Sequence, residues 1–446
     1  MQRRAARAPV GCDLLTSLRA PVRDHGAVCG APKARPSHYD ARMVRALWLI
    51  VIALGACKGD PPRQAAPPAV TKAALVIRDV RVFDGAQVIA STDVAIDGDT
   101  IVAVGPGLVV SPGAVVVAGA GKTLLPGLID AHAHVHDGSA LEQALAFGVT
   151  TELDMFAVPA DAAKLEAENL PNRADLRSAG TLATAPGGHG TQYGLGIPTV
   201  TRPDEAQAFA DARFAEGSDY LKIVYEDGSS FGMTLPTVDA PTLVALIDAA
   251  HARHKMAVVH ISEYDKARTA IDSGADGLVH SFKDVAPPAD FGAVVAKAGA
   301  FVVPTLAVLR KAHGEPTTIG DDPAIAPYLG PAAKQILAAA FSKAGKGEPG
   351  VTEALIAQLV AAQVPILVGT DAPNAGTAHG ASVHDELALL VAAGVPTTTA
   401  LAGATSVAAR AFGLADRGRI ASGMRADLVL VEGDPTVTIT DTRRIV

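Results

Sequence analysis

Five hydrophobic segments of this chain each end in a side chain able to bind a metal. They are LIDAHAHV at 128–135, YLKIVY at 220–225, AVVHIS at 257–262, GLVHSF at 277–282 and PILVGTD at 365–371. The residues concerned are His132, His134, Lys222, His260, His280 and Asp371. A charged or polar group at the end of an apolar strand is costly to bury alone, so it needs a partner. If the strands run parallel around a barrel, their C-terminal ends meet at one face, where barrel active sites sit. Four imidazoles and a carboxylate converging there make a transition-metal site.

His132 and His134 stand two apart on one strand, so both side chains leave the same face. Such a pair taken alone describes satisfied polar residues equally well. His136 shares the parity but lies past the strand end and reads as a loop residue. His260 and His280 each close a Val-rich run, and each by itself reads as structural. His251 and His254, in HARHK, are plain polar helix positions. Lys222 separates the kinds of site. Its neighbours Leu221 and Ile223 are apolar and draw the amine inward. A buried ammonium beside metal cations is expensive. A lysine that has captured CO₂ is instead an anionic carbamate, able to bridge two metals. The plain alternative is a snorkelling or ion-paired lysine.

The elements that must position these groups are legible as βα units, because strands alternate with Ala-rich helical stretches across 125–413. Candidate strands are 128–134, 149–154, 179–185, 220–225, 257–262, 277–282, 300–305 and 366–371. Eight strands over that span suit a (β/α)₈ TIM barrel of about 250 residues. Residues 73–117 alternate short apolar strands with Gly and Asp turns and predict antiparallel β structure. The C-terminal end repeats the style at 418–420, 426–431 and 437–439. Segments 73–124 and 414–446 are therefore expected to form a small flanking β-sandwich, the alternative being two unrelated β patches. Residues 306–351 are longer than one helix needs and predict extra helices over the site.

At 446 residues with 49% hydrophobic and 19% charged, the chain is globular. Its net charge of −8 gives no hint of the basic surface that nucleic-acid partners bind, and none is expected. The segment MVRALWLIVIALGAC at 43–57 has a charged start, a short apolar run and small residues before a cysteine. It resembles a bacterial lipoprotein signal, which implies cleavage before Cys57 and acylation of its thiol. The apolar run is well short of the ~20 residues that span a bilayer. A short transmembrane or buried helix is the alternative. Residues 1–42 read as an over-extended start, with Met43 as initiator, or as a disordered leader. The other cysteines are Cys12 and Cys29, so a mature chain from Cys57 has no thiolate left for a metal. Residues 58–72, rich in Pro and Ala, read as a tether. Lys58 is not the acidic residue that retains some lipoproteins at the inner membrane. The expected location is the cell envelope, lipid-anchored on the periplasmic side of the outer membrane.

The six residues resemble the amidohydrolase superfamily over roughly 73–435. Family strand one carries HxH, matched by His132 and His134. Strand four carries a carboxylated lysine, matched by Lys222. Strands five and six carry one histidine each, matched by His260 and His280, and strand eight an aspartate, matched by Asp371. LPGLIDAHAH at 125–134 and DRGRIASGMRADLVLVEGDP at 416–435 resemble the family's framework. The prolidase-like and ochratoxinase-like branch is the nearest in style, since APGGHG at 185–190 resembles its third-strand loop. That makes His189 a candidate on the substrate side. Tyr225 and Tyr264 are further candidates for the substrate carbonyl, although Tyr225 has the opposite parity to Lys222.

The resemblance implies two divalent metals, Zn²⁺ first among them. His132, His134 and Asp371 would hold one, His260 and His280 the other, with a CO₂-derived carbamate on Lys222 and a hydroxide between. It also implies hydrolysis of an amide bond in a small molecule, such as a dipeptide or N-acyl amino acid, with Asp371 as proton shuttle. Three alternatives stay open: a mononuclear cyclic-amide hydrolase or deaminase of the imidazolonepropionase kind, a phosphotriesterase-like lactonase, and a non-catalytic binding lipoprotein on the same fold.

Overall fold

The computed structural model describes residues 71–446 apart from 169, 343, 344 and 346. The leader, Cys57 and most of the tether lie outside the described residues. No helix among the described residues is long and apolar enough to cross a membrane.

The fold is mixed α/β. Its first part is a sheet that the two chain ends share. Strands β1 (Leu75–Phe83), β2 (Val88–Asp97), β3 (Thr100–Gly105), β4 (Val115–Ala118) and β5 (Lys122–Pro126) come from the N-terminal side. The loop from β1 to β2 is closed by Asp84, whose Oδ1 accepts from the backbone N–H of Ala86 and Gln87 at 2.8 Å each. A strand near the C-terminus, Leu428–Glu432, pairs antiparallel with β5. The sheet is of mixed direction, not purely antiparallel. β1 runs antiparallel to β2 but parallel to β4 and β5. Its apolar side chains, among them Val80, Val82, Val94, Ile101 and Leu124, pack with Ile420 in one cluster. Ile420 is buried there although 418–420 forms no strand, and the expected strand at 437–439 is instead a turn that leads into the 3₁₀ segment Ile439–Arg443.

The second part holds two parallel sheets. One contains β6 (Leu128–Ala133), β7 (Val149–Asp154) and β8 (Asp175–Ser178). The other contains β9 (Leu221–Val224), β10 (Ala257–His260), β11 (Gly277–Val279) and β12 (Phe301–Val303) in order. Every residue of β6, β9 and β10 is buried. That is why these strands read as continuous apolar runs, as parallel strands covered on both faces do. Helices separate them, for example Gly138–Ala146 between β6 and β7 and Ala240–His251 before β10. Asp239 caps the latter, its Oδ1 accepting from Thr242 N at 2.9 Å.

Isolated parallel bridges join Ala183 to Ile223, Val302 to Ile366 and Ala133 to Ala372. The third strand falls earlier than expected, at Asp175–Ser178, while 179–185 contributes a single bridge. The sequence there, DLRS, looks polar because Asp175 serves Arg417 and Arg425 at 2.6 and 2.5 Å. Side chains from several strands, including Ile129, Leu153, Val258, Val279 and Val303, meet in one apolar cluster. The 306–351 region forms the helices Leu306–Ala312 and Pro331–Ala338 with 3₁₀ turns between. The first of these contributes Val308, Leu309 and Ala312 to the wall of the cavity that His132, His134, His260 and His280 line.

Candidate metal centre and active site

His132 sits near the end of β6 and His134 just past it, facing Asp371. Asp371 Oδ1 lies 2.8 Å from His134 Nε2 and 3.3 Å from His132 Nε2. The two chain segments are splinted by backbone, with Asp371 N donating to His132 O at 2.7 Å. A second splint was not recognised in the sequence. The fully buried Asp130 accepts from His132 N, Thr370 N and Thr370 Oγ1 at 3.1, 3.0 and 2.6 Å. Burial, then the charge of Glu152, pushes Asp130 well above the usual carboxylate range. Asp371 goes the other way. Burial works to raise it, but the hydrogen bond and charge of His134, with His280 and Lys222, hold it down at about 2.

His280 follows β11 with a positive φ of 74°, and Asp371 has φ 59°. Both backbones are left-handed, a conformation L-residues rarely adopt and one that clusters at functional sites. His280 Nδ1 lies 2.7 Å from Thr305 Oγ1, which leaves its Nε2 for another partner. Its ring stands 4.8 Å from that of His132 and 4.4 Å from that of His260. His132 Nδ1 is buried without a hydrogen-bond partner.

Lys222, only 2% exposed, also lines the cavity. Burial lowers its amine to about 7 against the pull of Asp371, Asp154 and Glu226. Much of it is therefore neutral at neutral pH, the form that reacts with CO₂.

Glu226 was missed. It stands two residues past β9 and is 2% exposed. One oxygen meets His189 Nδ1 at 2.5 Å. The other lies 3.2 Å from His260 Nε2 and accepts from Ser262 Oγ. Burial works to raise its pKa, but the charge of His260 and the hydrogen bonds from His189 and His260 outweigh it and hold the carboxylate well below its usual range.

The donor atoms of His132, His280 and Asp371 lie within 4.8 Å of one another, as do those of His189, Glu226 and His260. These are buried or half-buried nitrogen and oxygen donors, and His132 also carries a buried ring nitrogen, Nδ1, with no hydrogen-bond partner. Such a set fits a divalent transition metal. The expected neighbours His132 and His134 both face Asp371, at 3.3 and 2.8 Å, and His280 stands close to them as well as to His260. His280 stands with His132 and Asp371, and His260 with Glu226.

All six metal-ligand candidates and His189 line one cavity of ≈ 360 Å³. The two tyrosines are elsewhere. Tyr225 is buried in the core shared with the helices, with the Lys266 ammonium 5.2 Å from its ring centre. Its parity, opposite to Lys222, sends it there. Tyr264 opens the helix Tyr264–Asp272 and packs edge-on against Phe282 and Phe291 at 5.4 and 5.6 Å.

The amidohydrolase family matches residues 123–445. An imidazolonepropionase of Cereibacter sphaeroides is 30% identical over 396 residues, 80% of this chain and 92% of its own. Among solved structures, a prolidase complexed with N-methylphosphonate-L-proline superposes with a TM-score of 0.67 at 22% identity, covering 83% of this chain and 96% of that one. Ochratoxinase of A. niger gives 0.65 at 17% identity, covering 85% and 94%. At these identities the two structures speak for the fold.

Proposed function

This chain belongs to the amidohydrolase family, a membership that carries hydrolysis of carbon–nitrogen bonds, and on that premise we propose a metal-dependent hydrolase of dipeptides or N-acyl amino acids. The observation that carries the reading is the convergence of His132, His134, Lys222, His260, His280 and Asp371 on one cavity. We read the parallel strands as a (β/α)₈ barrel over 125–413 with 366–371 as its eighth strand, and the sheet of both chain ends as the small flanking β-sandwich. The bridges at Ala183, Ile366 and Ala372 support that reading.

His132, His134 and Asp371 would hold one divalent ion, Zn²⁺ by donor chemistry, and His260, His280 and carboxylated Lys222 the other. Such ions supply Lewis acidity, polarising the scissile carbonyl and bringing the pKa of water towards neutrality. Asp371 is ionised at neutral pH and accepts a proton from the attacking water. As the new C–O bond forms and the C–N bond breaks, it returns that proton to the leaving nitrogen. His189, whose Nδ1 is engaged by Glu226, keeps Nε2 for the substrate. The test is turnover of a panel of dipeptides and N-acyl amino acids by Zn²⁺-loaded protein with bicarbonate. No release of amine from any of them contradicts the proposal.

Glu226 orients His260 through the ring nitrogen it contacts. Carboxylates that orient a metal-binding histidine contribute about 10–100-fold in metal affinity. Glu226→Gln is therefore expected to weaken one metal by that factor in a chelator competition, leaving the other unchanged. Equal affinity for both metals in variant and parent contradicts the role.

A second reading, a mononuclear cyclic-amide hydrolase, draws on the grouping of His132, His280 and Asp371 and on the engagement of His260 by Glu226.

The leader at 43–57 supports lipidation of Cys57 and attachment to the cell envelope. Mass spectrometry of the mature N-terminus is expected to find a diacylglyceryl cysteine at Cys57. An unmodified N-terminus at another residue refutes it.

A further inference from the structure

The cavity that holds the candidate ligands is walled largely by apolar side chains, among them Phe156, Leu182, Val224, Leu235, Val308 and Leu309. The apolar lining continues outward, with Gln192, Ser230 and Asn374 interspersed. Tyr193, Met233 and Phe341 also line the cavity, yet they are 55%, 42% and 38% exposed. Tyr193 ties the rim to the interior, its ring 6.1 Å from Phe156 and 6.4 Å from His189. A largely apolar surface that runs from a buried site out to solvent marks a surface meant to be covered.

A lysine interrupts it. Lys283 lines the same cavity, is half-buried, and makes no ion pair or side-chain hydrogen bond with any described residue. Lys266, by contrast, pairs with Asp227 at 3.2 Å. An ammonium left without a counter-ion among apolar walls is unfavourable unless a ligand brings the anion.

We propose that the substrate is a long-chain N-acyl amino acid, its carboxylate held by Lys283 and its acyl chain laid along the apolar wall to Tyr193, Met233 and Phe341. The inference rests on the reading of this site as an amide hydrolase. A short acyl group reaches the reacting centre but leaves the rim in water. A long one covers it. Each methylene moved from water onto that surface contributes up to ~0.8 kcal/mol, which is about fourfold in binding. The chemistry selected is thus amphiphilic: one carboxylate, one amide, one extended hydrocarbon.

The experiment uses N-acetyl-, N-hexanoyl- and N-decanoylglycine, with the C-terminal amide of each as the neutral control. Dissociation constants are measured by calorimetry on metal-loaded Asp371→Asn protein, and kcat/KM on the parent. Binding is expected to tighten roughly two- to fourfold per methylene. Met233→Asp and Phe341→Asp are expected to flatten that slope. Lys283→Met is expected to weaken the carboxylates at least tenfold and the amides hardly at all. Affinity that is flat from acetyl to decanoyl overturns the proposal, as does an equal effect of Lys283→Met on carboxylates and amides. If the chain-length dependence appears but the parent hydrolyses none of the series, the hydrolase reading fails, and with it the assignment of these acids as substrates. If short substrates turn over with no chain-length dependence, the hydrolase reading stands and this inference fails.

Discussion

Asp371→Asn is expected to lower kcat by roughly 10²–10⁴-fold, the contribution of general acid–base catalysis, while substrate binding and most of the metal are retained. The aspartate has two tasks in the proposed mechanism, and the substitution separates them. Asparagine still offers an oxygen to a metal but accepts no proton near neutral pH. In the structure the carboxylate is held by His134 at 2.8 Å and its backbone by His132, so a neutral isostere keeps its place. A role as ligand alone predicts a different result: metal is lost, and excess Zn²⁺ restores turnover. Turnover within a few-fold of the parent at full metal occupancy rejects the shuttle. The proton would then travel through another group, and His189 is the next to test.

Lys222→Ala is expected to abolish measurable turnover and to lose metal, with formate or acetate restoring part of both. A short carboxylate imitates the two oxygens of a carbamate. Lys222→Arg is expected to show no rescue, since a guanidinium stays cationic and fills the space. There is a pH signature as well. Burial holds the Lys222 amine at about 7, so its neutral, CO₂-reactive fraction grows as pH rises through that value. Reactivation of metal-free protein by Zn²⁺ and bicarbonate should accordingly be faster at pH 8 than at pH 6. Full activity in Lys222→Ala removes the lysine from the mechanism.

Strand parity brought His132, His134 and Lys222 to light, because each sits on or beside a strand whose neighbours are apolar on both sides. It also placed Tyr225 opposite to Lys222, and the structure buries that tyrosine among the helices. Parity says less about His280 and Asp371. Their side chains are aimed by left-handed backbone at the strand ends, φ 74° and 59°, which no alternation pattern encodes. Glu226 escaped notice because YEDG reads as a charged turn. Its burial depends on His189 and His260 arriving from loops and strands far away in sequence. Asp130 lay in plain view within LIDAHAH. Its role depends on Thr370, 240 residues on, and so is invisible before the two segments pair. The shared sheet was legible as β structure at both ends. The parallel pairing of β1 with β4 and β5 was not, because short alternating strands carry no mark of direction.

The central claim is a two-metal centre bridged through Lys222, and metal stoichiometry tests it most directly. The domain 73–446, expressed without its leader and dialysed after exposure to Zn²⁺ and bicarbonate, is expected to retain close to two ions per chain by elemental analysis. Lys222→Ala is expected to retain one or fewer under the same treatment, rising again with acetate. A value near one in the parent, unchanged by added Zn²⁺ and bicarbonate and equal in Lys222→Ala, contradicts the account and favours the mononuclear reading.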